Sequence, residues 1–367
     1  MMNISDRTLD LAIQIQQIPA PSFDEQKRAA FLHALFTEEN LAGVETDVLG
    51  NVYACLPGEG RARPIVITAH SDTVFPRETD LSVTRESGKI TAPGIGDNSL
   101  GVAGLFGLLW ALRQRKLSLP GDLWLVANVC EEGLGDLKGM RAVVERFGDQ
   151  PLAYLILEGM AYGEVFHRGL GVQRYRITAN AKGGHSWADY GAPSAIHELA
   201  RLVTQLTALE LPKEPRTSLN VGIISGGTSI NTIAAQASLE LDLRSTDPMT
   251  LKNLATQTET LVREAQRAGV RFEAKIIGQR PAGSIPEDHP LVQLAVQTLE
   301  EQSIQPHLNI GSTDANIPLS QGLPAICIGL THGRGAHTSG EYIYTEYLQK
   351  GLDQLLNVVL KVFESLQ

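Results

Sequence analysis

His70 and Asp72 close an apolar run at residues 64–73, and Glu131 and Glu132 follow another at 123–129. Glu158 ends a third run, 154–157, and a fourth, 325–330, leads toward His337. A histidine and a carboxylate two positions apart on an extended segment face the same way. That suits an imidazole that binds metal through one nitrogen while the carboxylate holds the other; a satisfied structural histidine is the alternative. Adjacent glutamates leave the backbone in different directions, so one can ligate while its neighbour stays free as a base. Paired glutamates are usually solvated, but these follow a buried run, and a carboxylate such as Glu158 at the end of an apolar strand is costly unless compensated. Asp97 follows the glycine-rich stretch Pro93-Gly94-Ile95-Gly96 and sits at the mouth of an apolar helix, beneath its positive end. In the loop 332–341, His332 competes with His337 for a ligand role. Asp97, Glu132 and Glu158 carry three negative charges, which two divalent ions and a bridging hydroxide bring to zero. Imidazole and carboxylate donors without thiolate suit zinc, and cobalt and manganese are accepted by the same donors.

These groups meet only if the apolar runs are strands of one sheet, because the ligand crevice of an open parallel α/β sheet lies at the carboxyl ends of its strands. Leu9, Ala12 and Ile13, and later Ala30, Phe31, Ala34 and Leu35, recur at helical spacing. The strand, loop and helix order up to about residue 172 specifies an α/β fold with a mostly parallel sheet flanked by helices. Between 172 and 280 the pattern changes to strand (174–179), helix (194–209), strands (218–224 and 237–243), helix (251–268) and strand (270–277). That order, β-α-β-β-α-β, is ferredoxin-like. The expected organisation is a catalytic domain at 1–173 and 281–367 with an α+β domain inserted at 174–280.

The 367 residues exceed the roughly 100–200 of one domain. A net charge of −10 argues against nucleic acid, whose binding needs clustered Lys and Arg. The partner is therefore expected to be a small molecule or peptide. Cys55, Cys130 and Cys327 show no CxxC spacing, so neither a disulfide framework nor a thiolate site is indicated. The start of the chain lacks the pattern of a signal peptide. The longest apolar run, residues 100–112, falls short of the about 20 residues of a membrane span. A cytoplasmic protein without membrane association is expected.

His70-Ser71-Asp72, Gly96-Asp97-Asn98, Glu131-Glu132-Gly133, Glu158, Gly183-Gly184-His185-Ser186 and His337-Thr338-Ser339-Gly340-Glu341 occur in the order of the co-catalytic dinuclear zinc peptidases and amidohydrolases. The chain resembles this family, which includes peptidase T, bacterial glutamate carboxypeptidase, acetylornithine deacetylase, succinyl-diaminopimelate desuccinylase and aminoacylase, over essentially its whole length. The resemblance implies two zinc ions per chain, one held by His70, Asp97 and Glu158 and the other by Asp97, Glu132 and His337. It implies Glu131 as general base, Asp72 as the orienter of His70, and an inserted lid that also forms a homodimer interface. Through that interface His185 would reach the neighbouring subunit's site, where the alternative is a histidine satisfied in a lid turn. Position 158 is Glu where many members have Asp, a difference of subgroup. Arg244 resembles the position that holds a substrate carboxylate, with a lid surface salt bridge as the alternative. Asn231 resembles a lid asparagine that contacts substrate, with a plain turn residue as the alternative, and Ser312 and Thr313 resemble the substrate-side loop.

The reading is a two-metal hydrolase that cleaves the amide bond of small peptides or N-acyl amino acids, peptidase T-like or carboxypeptidase-like. A deacylase of an amino-acid biosynthetic intermediate is the second reading. A non-catalytic binding protein on the same fold is a third, against which the complete ligand set weighs.

Overall fold

The computed structural model describes residues 3–366, which divide into two compact units. The first unit, up to Gly169, runs α1 (Ile4–Gln16), α2 (Gln26–Glu38), β1 (Ala42–Thr46), β2 (Val52–Leu56), β3 (Ile65–His70), β4 (Thr84–Glu86), β5 (Lys89–Thr91), α3 (Leu100–Gln114), β6 (Leu123–Asn128), α4 (Lys138–Phe147), β7 (Ala153–Glu158) and β8 (Glu164–Gly169). The second unit, Leu170–Ala282, holds β9 (Gly171–Ala181), β10 (Gly184–His185), α5 (Ala195–Thr207), β11 (Thr217–Gly226), β12 (Thr232–Ile233), β13 (Gln236–Ser245), α6 (Pro248–Glu264) and β14 (Val270–Arg280). The chain then rejoins the first unit with β15 (Gly283–Ser284), α7 (Pro290–Glu301), β16 (His307–Gly311), α8 (Asn316–Ser320), β17 (Ala325–Gly329), β18 (Gly333–Arg334), β19 (Tyr342–Tyr344) and α9 (Leu348–Ser365).

The expected α/β architecture is present. A nine-stranded sheet has the order β1-β2-β6-β3-β7-β17-β8-β15, with β16 added beside β8. Its centre, β6-β3-β7-β17, is parallel throughout, and His70 lies level with Asn128 while Glu158 lies level with Gly329. Antiparallel strands flank this centre on both sides. All six residues of β3 are buried, as a central parallel strand covered on both faces requires. Helix α3 packs on β3 and β7, with α1 and α9 against it, and Phe106 of α3 stacks on Phe36 of α2 at 4.6 Å. Counted with the turn before it, the helical stretch Ile95–Gln114 spans 20 residues, enough by length and composition to cross a membrane, yet 94% of its most apolar window is buried in the core. The expectation of too short a run considered residues 100–112 alone.

The second unit has its own core, in which Tyr175, Ile177, Leu239, Leu241 and Leu243 meet Leu199 and Leu202 of α5 and Leu251 and Leu254 of α6. Its antiparallel sheet has the order β11-β13-β9-β14, and β13 alternates buried and half-exposed residues as a sheet covered on one face does.

Candidate metal centre

The carboxyl ends of the parallel strands deliver the charged groups. His70 is the last residue of β3, Glu158 the last of β7, and Glu131 and Glu132 lie just beyond β6. Asp97 comes from the turn before α3, and His337 from the loop between β18 and β19. The two oxygens of Asp97 are divided: Oδ1 lies 3.2 Å from His70 Nε2 and Oδ2 lies 3.1 Å from His337 Nε2. His70 Nε2 is also 3.8 Å from Glu158 Oε2, and His337 Nε2 is 3.1 Å from Glu132 Oε1. Donor atoms of His70, Asp97 and Glu158 lie within 4.8 Å of one another, as do those of Asp97, Glu132 and His337, and those of His70, Glu131 and Glu132. His332 is elsewhere, packed edge-on against Tyr162 and Tyr347.

Asp72 connects these groups from below. It accepts from the Glu131 N–H and the Glu132 N–H, each at 2.9 Å, and from Ser22 Oγ at 2.7 Å, while His70 Nδ1 faces its Oδ1 at 3.6 Å and its carbonyl at 3.1 Å. Glu341, fully buried, accepts from the N–H groups of Gly94, Gly96 and Asp97, and so shapes the turn that presents Asp97. Burial pushes its pKa up to about 7. Asn98 donates to the Leu157 carbonyl and accepts from Gly159 N–H, which ties that turn to the end of β7. A Cβ at Gly159 would stand 2.3 Å from the Gly96 carbonyl oxygen, so only glycine lets the two loops come this close. Beneath them Asn128 donates to Asp314, whose burial lifts its pKa to about 7.

Whether these residues suit a metal is decided by charge. Among the described residues the ion pairs of Asp97, Glu132 and Glu158 are with His70 and His337, and no Lys or Arg neutralises them. A buried group of carboxylates without cations is costly, and imidazole plus carboxylate is a donor set for divalent ions. In the protein without metal the imidazoles supply the positive charge. Hydrogen bonds to Asp97 and Glu132 raise the His337 pKa to about 10. Burial would lower that of His70, but Asp72, Asp97 and Glu158 outweigh it and push it well above the ordinary value. Because these pKa values exceed the roughly 6.5 of an unfolded histidine, their contribution to stability is complete below about pH 6.5 and is lost as the pH rises through the folded-state values. Solvent screening reduces the share of His337, whose side chain is half exposed. Metal-free protein should therefore melt at progressively lower temperature from about pH 6.5 to 10, whereas metal-loaded protein, whose imidazoles are neutral ligands, should not. Parallel melting curves of the two forms check this.

The remaining candidates divide between the units. Ser312 and Thr313 lie in the first, after β16, where Thr313 N–H donates to Asn316 and Thr313 Oγ1 accepts from Ala315 N–H. In the second unit, exposed His185 sits on β10 opposite Thr232 of β12, beside Asn231. Its Nδ1 accepts from the N–H groups of Trp187 and Ala188, which puts the ring proton on Nε2. Arg244 pairs with Asp242, Nε to Oδ1 at 2.7 Å. Sequence reasoning did not single out Arg28, Glu25 or Asn128. Only the apolar neighbourhood of Asn128 offered a signal.

Comparison with known proteins follows the same line. The model of peptidase family M20/M25/M40 matches residues 66–361, which include every proposed metal ligand. A peptidase M20 domain-containing protein of Schizosaccharomyces pombe is 33% identical over 218 residues, 57% of this chain and 51% of that protein, so the match spans about half of the relative's length. An acetylornithine deacetylase of Klebsiella pneumoniae is 26% identical over 80% of this chain and 79% of its own. The structure of a tripeptidase from Staphylococcus aureus superposes with a TM-score of 0.84 at 21% identity, covering all of both chains. The chain belongs to peptidase family M20/M25/M40.

Proposed function

We propose that the protein is a dinuclear zinc-dependent hydrolase of small peptides or N-acyl amino acids. The observation that carries this reading is the division of the Asp97 oxygens between His70 and His337, which would let one carboxylate serve both ion sites. His70, Asp97 and Glu158 would hold one ion and Asp97, Glu132 and His337 the other, with cobalt or manganese accepted in place of zinc. When bound, the ions polarise the scissile carbonyl and lower the pKa of water toward neutrality. Glu131, as general base, takes the proton of the attacking water and hands it to the departing amine nitrogen. Asp72 keeps His70 oriented and holds the Glu131 backbone N–H. His185 supports the oxyanion from a neighbouring subunit, since its Nε2–H is a donor and its Nδ1 is already engaged. The second unit would then serve as lid and homodimer interface. Arg244 and Asn231, with Ser312 and Thr313, would contact the substrate; a guanidinium suits a carboxylate, and Arg244 would have to exchange Asp242 for it.

The likeness to an acetylornithine deacetylase supports a second reading, deacylation of an amino-acid biosynthetic intermediate. A panel of dipeptides, tripeptides and N-acyl amino acids separates the two. Two ions per chain by elemental analysis, activity lost on chelation and activity restored by zinc, cobalt or manganese are expected. Folded protein that takes up no metal would sink both readings.

A further inference from the structure

Arg28 plays no part in that mechanism, yet it is among the largest side chains fully enclosed in the protein, on a helix, α2, that provides none of the proposed ligands. Its Nη1 donates to the Ser71 carbonyl at 2.7 Å, and its Nε and Nη2 donate to the Ile18 carbonyl at 3.0 and 2.5 Å. Burial lowers its pKa to about 10, against the opposing charges of Asp72 and Glu25, so it is a cation at neutral pH. A buried guanidinium usually faces a carboxylate; this one makes its hydrogen bonds to two main-chain carbonyls. One of them belongs to the residue between His70 and Asp72. Just before the helix, Glu25 accepts from the Cys130 N–H at 3.1 Å, one position ahead of Glu131. The start of α2 thus grips both stems that lead into the site, 70–72 and 130–132, and Asp72 links the two stems through the Glu131 and Glu132 N–H groups.

We propose that Arg28 is a positioning residue for the metal centre, its forked guanidinium fixing the Ser71 carbonyl and, through Ser71 and Asp72, the placement of His70, Glu131 and Glu132. The inference rests on the dinuclear hydrolase reading. Two effects of Arg28 have opposite sign, which makes it testable. As a fixed cation near carboxylates it disfavours metal ions, so its removal by charge alone would tighten binding. As a clamp it preorganises the ligands, so its removal weakens binding.

Cobalt(II) titration of metal-free protein, followed by visible absorption, reads the sign without relying on activity. Arg28→Met should bind cobalt about 10- to 100-fold more weakly than wild type, the usual cost of losing an outer-shell partner. Arg28→Lys keeps the charge, but one ammonium lacks the planar fork, so its affinity should fall between the two. Leu32→Ala, one turn further along α2 at another fully buried position, should lower the melting temperature and leave cobalt affinity unchanged. Cobalt binding by Arg28→Met as tight as wild type or tighter overturns the inference. So does an Arg28→Lys protein with wild-type affinity, a test that stands even if Arg28→Met does not fold, and so does a Leu32→Ala protein weakened as much as Arg28→Met. Wild-type protein that takes up no cobalt overturns the hydrolase reading itself, a distinguishable failure.

Discussion

Replacing Glu131 by Gln should leave two ions bound and lower kcat by a factor on the order of 10² to 10⁴, the range for loss of a general base. The amide has nearly the shape of the carboxylate it replaces, and the backbone N–H of residue 131 keeps its 2.9 Å bond to Asp72, so the loop has no reason to move. What disappears is the capacity to accept a proton. Glu132→Gln differs, because the Glu132 carboxylate faces His337 at 3.1 Å and one ion would lose a charged donor. Since donor atoms of Glu131 also approach His70 and Glu132 closely, elemental analysis is the deciding measurement. Metal lost as readily from Glu131→Gln as from Glu132→Gln would reverse the two roles. The same variant tests the subunit exchange: mixed dimers of Glu131→Gln and His185→Ala chains should regain about half of wild-type activity, because one site collects both lesions and the other neither. Mixed dimers no better than the His185→Ala parent would place His185 outside the neighbour's site.

Asp97→Asn should be more damaging to metal content than any other single change at the centre. Each Asp97 oxygen faces a different imidazole, so an amide removes the shared charge and turns one of the two acceptors into a donor. Loss of one partner from a buried charged assembly costs about 3–5 kcal/mol, which corresponds to a weakening of roughly 10² to 4 × 10³ in affinity. Both ions should be affected, with content falling below one per chain and hydrolysis to background. Retention of a full complement would show that Asp97 does not bridge.

The strands of the central sheet were legible because buried parallel strands read as unbroken apolar runs. His70, Glu131, Glu132 and Glu158 stood out because they end such runs with a charge that hydrophobic burial cannot explain, whereas Asp97 and His337 lie in a turn and a loop and stood out only through the motifs around them. The second unit was legible for a different reason, its alternation of periods. His332 and His337 could not be separated by spacing: one loop carries both, and only the pairing of β18 and β19 turns His337 toward Asp97 and leaves His332 among tyrosines. Arg28 was not legible at all. On an amphipathic helix an arginine is normally solvated, and what makes this one different is contact with a carbonyl 43 residues away. Glu341 stood within a recognised motif, but its three backbone partners lie some 245 residues earlier, beyond the reach of any local pattern.

Gly169 and Gly283, the residues at which the chain departs for the second unit and comes back, are register partners on β8 and β15. The 113 residues between them therefore occupy the position of a hairpin loop. To the parent sheet their length is immaterial, because the cost of closing a loop grows only with the logarithm of its size. An insertion placed there can thus change in length or sequence while the strand ends of the parent sheet keep their alignment.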